Sequence, residues 1–158
     1  MARLDTTRVT TWRDLQSISA ELERTIDDVL TTEWKVPLGW FDVLGALVRL
    51  GGRARPSGVA EELRLVRSSL SRRLDRLEEE GWVARTKPDS PEDHRAVLVV
   101  LTPRGRALWR AMNVTYRRAV QAHVSSRLSD ADVGDLRRIL AAVAVDSNGH
   151  SAGALRAG

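Results

Sequence analysis

Apolar residues recur at steps of three and four along the first fifty residues, the spacing that places them on one face of an α-helix. The first run predicts a helix over about 10–33, with charged residues on its other faces. A proline and a glycine predict a break at 35–40, and a second helix follows through 41–50 until two glycines end it. The apolar positions that define the first helix are Trp12, Leu15, Ile18, Leu22, Ile26, Val29 and Leu30.

The middle of the chain changes between short helical and extended patterns. Residues 53–56 are too few for a helix and predict a brief strand, after which the Ser57 hydroxyl is placed to cap a short helix. A further helix is predicted over Arg67–Glu80, with Gly81 as its C-cap. A hairpin follows, with β-prone runs at 82–87 and 96–101 and a polar loop at 88–95.

Two more helices are predicted in the last third. The Thr102–Pro103 pair combines a capping hydroxyl with a proline suited to the first helical position, and this helix is expected to continue to about Arg127. Ser129, followed three residues later by Asp132, predicts the start of the last helix by a variant of the capping box. The tail at 147–158 loses periodicity, so we expect it to be flexible.

The order of these elements predicts the fold class. Two short helices joined by a tight turn and followed by a hairpin are typical of a winged helix-turn-helix. We therefore expect a mainly α (α+β) chain that forms a single domain over 1–158. Its DNA-binding lobe is predicted at 53–102, with long helices at 10–34 and 103–146 on either side.

The distribution of charge supports a polyanionic partner for this lobe. The net charge is +4, and residues 53–110 carry thirteen Lys or Arg against nine Asp or Glu, whereas residues 1–52 carry six against eight. Only Lys35 and Lys87 are lysine, so 23 of the 25 basic residues are arginine, whose planar guanidinium suits phosphates and guanine edges. The middle of the chain is therefore the segment that we expect to bind nucleic acid.

Several other classes of function are disfavoured. With no cysteine, the chain has no disulfide, thiolate metal site or thiol-based redox sensor. His94, His123 and His150 lack metal-ligand spacing, and no phosphate-binding loop or nucleophile motif is present. We expect no enzymatic activity, cofactor or metal. No apolar run reaches the ~18 residues of a membrane span and no secretory signal is evident, so we expect a cytoplasmic protein without a membrane partner.

The helix predicted at Arg67–Glu80 has the polar face that the major groove requires. Its first half is free of acidic residues and offers small hydroxyls, which allow close approach, together with arginines, which donate two hydrogen bonds to guanine. Three consecutive glutamates at its end would be repelled by phosphates, so that end should point away from DNA. An ordinary solvated helix face is the alternative. The candidate contacts are Arg67, Ser68, Ser69, Ser71, Arg72, Arg73 and Arg76.

The hairpin supplies a second set of candidate DNA contacts. An arginine at its tip could enter a narrow minor groove, where the negative potential is strongest, and a nearby carboxylate could orient that arginine. Arg85 lies on the incoming strand. An ordinary charged loop remains the alternative. The candidate contacts are Lys87, Asp93, His94 and Arg95.

Three segments resemble the multiple-antibiotic-resistance regulator (MarR) family in the same order along the chain. DHRAVLVVLTPRG at 93–105 is similar to the family's wing, SLSRRLDRLEEEGWVAR at 69–85 to its recognition helix and LGWFDVLGAL at 38–47 to its second helix. The resemblance implies that Arg95, partnered by Asp93, enters the minor groove, while the start of the recognition helix at 68–73 faces the major groove. It also implies a repressor that a small, often phenolic or lipophilic, molecule releases from DNA.

The same resemblance implies a homodimer in which the first helix and the last two interlock. The apolar faces of these helices also exceed what a small lobe covers, so a second copy could bury them. A two-fold dimer would bind double-stranded DNA at an inverted repeat, with half-sites about 10 base pairs apart or a multiple of that.

Tryptophans provide the lead to an effector. Trp12, Trp34, Trp40 and Trp109 lie on or beside helices that meet the DNA-binding lobe in the MarR family, and an aromatic-lined pocket would suit a small aromatic or lipophilic effector. The alternative is that these indoles fill the core and the dimer interface. Two other functions also stay open for the whole chain: a winged-helix module for protein interaction, and nonspecific architectural DNA binding.

Overall fold

The computed structural model describes residues 5–87 and 97–147, and it has the mainly helical winged helix-turn-helix fold that the sequence predicts. Outside the described residues lie the predicted wing-tip contacts Asp93, His94 and Arg95 and the predicted tail from residue 148 onward. The elements are α1 (Thr6–Trp34), α2 (Leu38–Arg49), β1 (Arg53–Ala54), α3 (Pro56–Leu63), α4 (Arg67–Glu79), β2 (Val83–Thr86), β3 (Leu98–Leu101), α5 (Pro103–His123), a 3₁₀ turn (Ser125–Arg127) and α6 (Asp130–Ser147).

The three strands form one antiparallel sheet in the order β1-β3-β2. Val100 in the central strand is paired with Arg53 on one side and with Ala84 on the other. The neighbouring residues Val99 and Leu101 are buried, because alternate side chains of a strand point to the same face. The sheet therefore contributes one apolar face to the core of the lobe.

The core of the lobe fixes α4. Leu70, Leu74 and Leu77 recur at steps of four and three, are all buried, and join Leu44 and Leu47 of α2 in one cluster. Burying each leucine contributes roughly 1.5–3 kcal/mol, so this stripe holds α4 firmly against α2. The opposite face of α4 is left to solvent.

Three helix starts differ from the predicted positions, and one of them is that of α2, which begins at Leu38 inside the break predicted at 35–40. α1 begins at Thr6 rather than near residue 10, because the Asp5 carboxylate accepts a hydrogen bond of 3.0 Å from a backbone N–H of the first turn. The predicted Ser57 cap is wrong, since α3 begins at Pro56 with Arg55 as N-cap. Proline suits the first helical position because its φ is already helical and its missing N–H would have had no partner there.

The end of α5 also comes earlier than predicted, at His123 rather than near Arg127. The Ser126 hydroxyl donates to the Ala122 carbonyl at 2.8 Å. A side chain that bonds a helical carbonyl in this way competes with the backbone ladder, and a 3₁₀ turn follows.

The capping box at the start of α6 is confirmed. The backbone N–H and the hydroxyl of Ser129 donate to the Asp132 carboxylate at 2.9 and 2.6 Å, and the Asp132 N–H is 3.2 Å from the Ser129 hydroxyl. These bonds lower the pKa of Asp132. The chain divides into two compact units, Met1–Ala119 and Val120–Gly158, and this capping box belongs to the second.

Candidate nucleic-acid interface

A tight turn between α3 and α4 presents the first turn of α4 without a side-chain cap. Arg64 adopts a left-handed conformation with φ of 53°, and the Leu65 N–H donates to the Ala60 carbonyl at 2.9 Å. Val66 is the N-cap of α4 and its side chain makes no capping bond. The first turn contains no acidic residue, so the positive end of the helix is uncompensated there. Such an end attracts anions.

The candidate contacts along α4 are mostly on its solvent face. Ser68, Ser71, Arg67 and Arg72 are exposed, and Ser69 is half-buried. Within the part of the chain that the structure describes, neither Arg67 nor Arg72 forms an ion pair. These two guanidinium groups are therefore available to an external anion.

The other two candidate arginines on α4 have partners within the chain. Arg76 pairs with Glu79 at 2.9 Å, but both side chains are exposed, so this pair contributes little to stability. Arg73 is half-buried, and its Nη1 donates to the Gly39 carbonyl at 3.2 Å. Arg73 therefore differs from its exposed neighbour Arg72 in being half-buried and in having a hydrogen-bond acceptor within the chain.

A groove of about 610 Å³ lies between the first turn of α3, the start of α4 and the sheet. Among the residues that the structure describes, its lining includes three arginines, Arg55, Arg67 and Arg85, and no carboxylate. The hydroxyls of Ser57 and Ser71 add hydrogen-bonding groups. A groove with this lining suits the sugar-phosphate backbone of a nucleic acid.

Arg85, at the base of the hairpin, is bonded to α4. Its Nη2 donates to the Asp75 carboxylate at 2.6 Å, its Nη1 donates to Glu78, and its backbone N–H donates to Glu78 at 3.1 Å. Arg85 therefore connects β2 to the recognition helix. Lys87, the last described residue before the wing loop, is exposed.

The structure does not bring the four candidate tryptophans into one pocket. Trp12 is 55% exposed on α1, whereas the Trp34 indole N–H donates to the Thr115 hydroxyl at 3.0 Å. Trp40 meets the edge of Trp82, with ring centroids 6.2 Å apart. Trp109 stacks on Phe41, and its indole N–H is buried without a hydrogen-bond partner in the described chain. Trp40 lines a groove of about 430 Å³ beside Arg72 and Arg73.

A third groove, of about 500 Å³, was not anticipated from the sequence. It lies between α1, α2, α4 and α5 within the first unit, and its lining includes Asp27, Asp42, Arg73 and Tyr116. Burial raises the pKa of Asp42, although Arg73 and Arg49 oppose this shift. Burial and the charge of Asp42 also raise the pKa of Tyr116. The sequence feature that could have indicated this groove is Asp42, because it is a carboxylate within the apolar run FDVLGAL.

Two helices carry unusually apolar exposed stripes. On α1 this outer stripe consists of Val9, Trp12, Leu15 and Ile18, each 41–56% exposed. The α6 stripe consists of Val133, Leu136, Ile139, Leu140 and Val143, and all five are exposed. Side chains of this kind at helical spacing are expected to be covered by a partner.

Two kinds of feature are absent from residues 5–87 and 97–147. No group of three or more His, Cys, Asp or Glu residues in this part of the chain is arranged to hold a metal ion. No helix within it is long and apolar enough to cross a membrane.

Comparisons with known proteins agree with this geometry. The sequence profile of the MarR family matches residues 34–96. Over 114 residues the chain is 33% identical to the HTH-type transcriptional regulator PecS of Dickeya dadantii (strain 3937), an alignment that includes 71% of this chain and 63% of PecS. The chain therefore spans less than two thirds of the length of that relative.

Two solved structures from Streptomyces coelicolor match nearly the whole chain. The MarR family transcriptional regulator Sco3205, solved in complex with DNA, is 29% identical with a TM-score of 0.77, and the match covers 98% of this chain and 96% of that one. The MarR family regulator AbsC, 23% identical, has the same fold with a TM-score of 0.81 over 95% of this chain and 100% of its own. From the profile, the relative and these structures together, the chain belongs to the MarR family of transcriptional regulators.

Proposed function

We propose that this protein is a sequence-specific DNA-binding transcription regulator, a homodimeric repressor that a small molecule releases. The observation that carries DNA binding is the solvent face of α4, with an uncapped, acid-free first turn and two arginines without ion pairs among the described residues. The adjoining groove, whose described lining includes Arg67 and the hydroxyls of Ser57 and Ser71, supports the same interpretation. Sco3205, a structural neighbour, was solved with DNA.

In this proposal α4 enters the major groove. Arg72 reads a base edge, most naturally guanine, and the hydroxyls of Ser68, Ser69 and Ser71 allow close approach. Arg67 lies toward the groove that suits the backbone and contacts phosphate. On the wing, the remaining proposed contacts are Lys87, Asp93, His94 and Arg95.

The homodimer is proposed from the apolar stripes on α1 and α6. If these stripes pair with their copies, a two-fold assembly results, and its operator is an inverted repeat. Sedimentation of the pure protein tests this. A single species with the mass of one chain at micromolar concentration would contradict the dimer.

Release by an effector is proposed because the Trp40 groove adjoins α4. Its lining combines an indole with Arg72 and Arg73, so a flat aromatic molecule bound there would lie against the recognition helix. Substituted phenols should quench tryptophan fluorescence and dissociate the DNA complex, and Trp40→Leu should weaken both effects. If a phenol quenches the tryptophan fluorescence but the DNA complex stays intact, the bound molecule does not regulate DNA binding.

The test of DNA binding is selection from random duplexes, followed by footprinting on DNA upstream of the gene. We expect an enriched inverted repeat and a protected site with the same sequence. Arg72→Ala should weaken binding to the selected duplex by about 1–3 kcal/mol and reduce its preference over unselected DNA. Binding to all duplexes with equal affinity would favour an architectural role, and no binding to any duplex would favour a protein-interaction module.

A further inference from the structure

Arg73 differs from its neighbour Arg72 in where its guanidinium lies. Arg72 is exposed, whereas Arg73 is half-buried, and its Nη1 donates to the Gly39 carbonyl in the first turn of α2 at 3.2 Å. The two arginines are adjacent in sequence, so they point in directions about 100° apart around the helix. One faces solvent and the other faces the α1–α2 corner.

Gly39 permits this contact because it has no side chain. A Cβ atom built on Gly39 would lie 2.9 Å from Cζ of Arg73, closer than real Cβ contacts, and 3.0 Å from its Nη1, which is tighter than most of them. The guanidinium therefore lies directly against the backbone of α2.

The first turn of α2 is also hydrogen-bonded to α1. The Asp27 carboxylate accepts a hydrogen bond of 2.7 Å from the Leu38 N–H, one residue before Gly39. The half-buried Asp42 adds negative charge on the same side of α2, and it lines one groove together with Arg73. Arg73 is thus the α4 residue that joins the recognition helix to a turn already held by α1.

We propose that Arg73 is a positioning residue, which sets the orientation of α4 for DNA recognition through its bond to Gly39 and makes no contact with DNA. This inference rests on the proposed function. The leucine stripe holds α4 in the core, but apolar contacts are not directional. A charge-assisted bond to a fixed carbonyl adds a direction, so it restrains the rotation and sliding that would move Arg72 in the groove.

Gly39→Ala tests the bond while leaving every charge and the solvent face of α4 unchanged. The new methyl group meets only the far end of a flexible side chain, so the fold should be retained while the guanidinium is displaced. We expect the affinity for a duplex selected by the wild-type protein to fall about 5- to 10-fold. The affinity for an unselected duplex of equal length should change less than 2-fold.

Gly39→Ala is also combined with Arg73→Met and, as the matched control, with Arg72→Met. Methionine keeps the alkyl part of the arginine side chain and removes the guanidinium. In the Arg73→Met background, Gly39→Ala should have no further effect on binding, because the bond is already gone. In the Arg72→Met background it should retain its full 5- to 10-fold effect. Such a double-mutant cycle isolates the Arg73–Gly39 coupling from changes elsewhere.

The outcomes separate this inference from the proposed function. Anisotropy titrations at several salt concentrations should give Arg73→Met the wild-type salt slope, because no phosphate contact is lost. A slope reduced by about one would mean that Arg73 contacts phosphate. Gly39→Ala that binds the selected duplex as tightly as wild type would mean that the bond to Gly39 does not position α4. Either result would overturn the inference. If the wild-type protein selects no duplex, the proposed function fails instead.

Discussion

Gly105 lies in the first turn of α5, and adding one methyl group there by Gly105→Ala should destabilise the fold. A Cβ atom there would lie 2.0 Å from the Trp82 carbonyl oxygen and 3.0 Å from Cδ1 of Leu101. Unlike the contact at Gly39, the first of these atoms belongs to the backbone and cannot rotate away. Gly105→Ala therefore requires α5 and the start of β2 to separate by about 1 Å, the difference between 2.0 Å and the 3.0 Å limit of real contacts.

The separation breaks specific bonds. Thr102 donates from its backbone N–H to the Trp82 carbonyl at 3.1 Å and from its hydroxyl to the Gly81 carbonyl at 2.8 Å, and Gly105 N–H donates back to that hydroxyl at 3.0 Å. Overpacking costs about 1–3 kcal/mol and a lost hydrogen bond about 1 kcal/mol, while alanine returns about 1 kcal/mol of helix propensity. We expect a net loss of about 2 kcal/mol.

Urea unfolding followed by circular dichroism, at one fixed protein concentration, measures this loss. Gly134→Ala is the matched control, because Gly134 is exposed in α6 and nothing lies within 4 Å of its Cβ position. The control should be neutral or stabilised by up to about 1 kcal/mol. If Gly105→Ala unfolds at the same urea concentration as Gly134→Ala, the close packing of α5 on Trp82 is not what the structure indicates.

Three further predictions address other contacts. Thr115→Val, at a buried position, leaves the Trp34 N–H without its acceptor and removes one of the two donors to the Glu33 carboxylate, the other being Arg118. It should destabilise the fold by about 1–3 kcal/mol in urea unfolding, and a neutral result would refute the bonding. Arg85→Gln removes the two ion pairs that the side chain makes with Asp75 and Glu78 of α4, while the backbone bond to Glu78 remains. It should weaken binding to the selected duplex with the salt slope unchanged, whereas a reduced slope would indicate a phosphate contact. Ile18→Glu, on the outer stripe of α1, should shift the proposed dimer toward monomer in sedimentation at micromolar concentration. Sedimentation identical to that of the wild type would exclude this stripe from the proposed interface.

The elements of the lobe were predictable because their periodicities are local. The leucines of α4 recur at the spacing of one helix face, and Gly81 follows that helix with φ of 73°. The start of α3 was misplaced because two favourable signals, Pro56 and Ser57, compete for adjacent positions. The helix begins at Pro56 because the proline ring fixes φ, whereas a serine hydroxyl has several possible partners.

Which arginines of α4 hydrogen-bond within the chain and which are exposed without such a partner was not predictable from the same pattern. The polar face contained Arg72, Arg73 and Arg76 together, and local spacing could not reveal that the second bonds a carbonyl 34 residues away. The tryptophans illustrate the same limit. Their positions along the helices were evident, but Trp34, Trp40 and Trp109 each contact a different residue once the helices pack, and Trp12 stays exposed.

These internal bonds change what the basic charge of the lobe predicts for DNA binding. The segment 67–87 contains six cationic side chains, and three of them, Arg73, Arg76 and Arg85, have hydrogen-bond acceptors within the chain. Salt dependence follows the number of phosphates neutralised, with a slope of about −0.9 for each contact. A plain count of cations therefore predicts six contacts from this segment, while three of the six, Arg67, Arg72 and Lys87, have no acceptor within the described chain. Arg67→Met should reduce the slope and Arg76→Met should not, so the two readings give opposite results in one titration series.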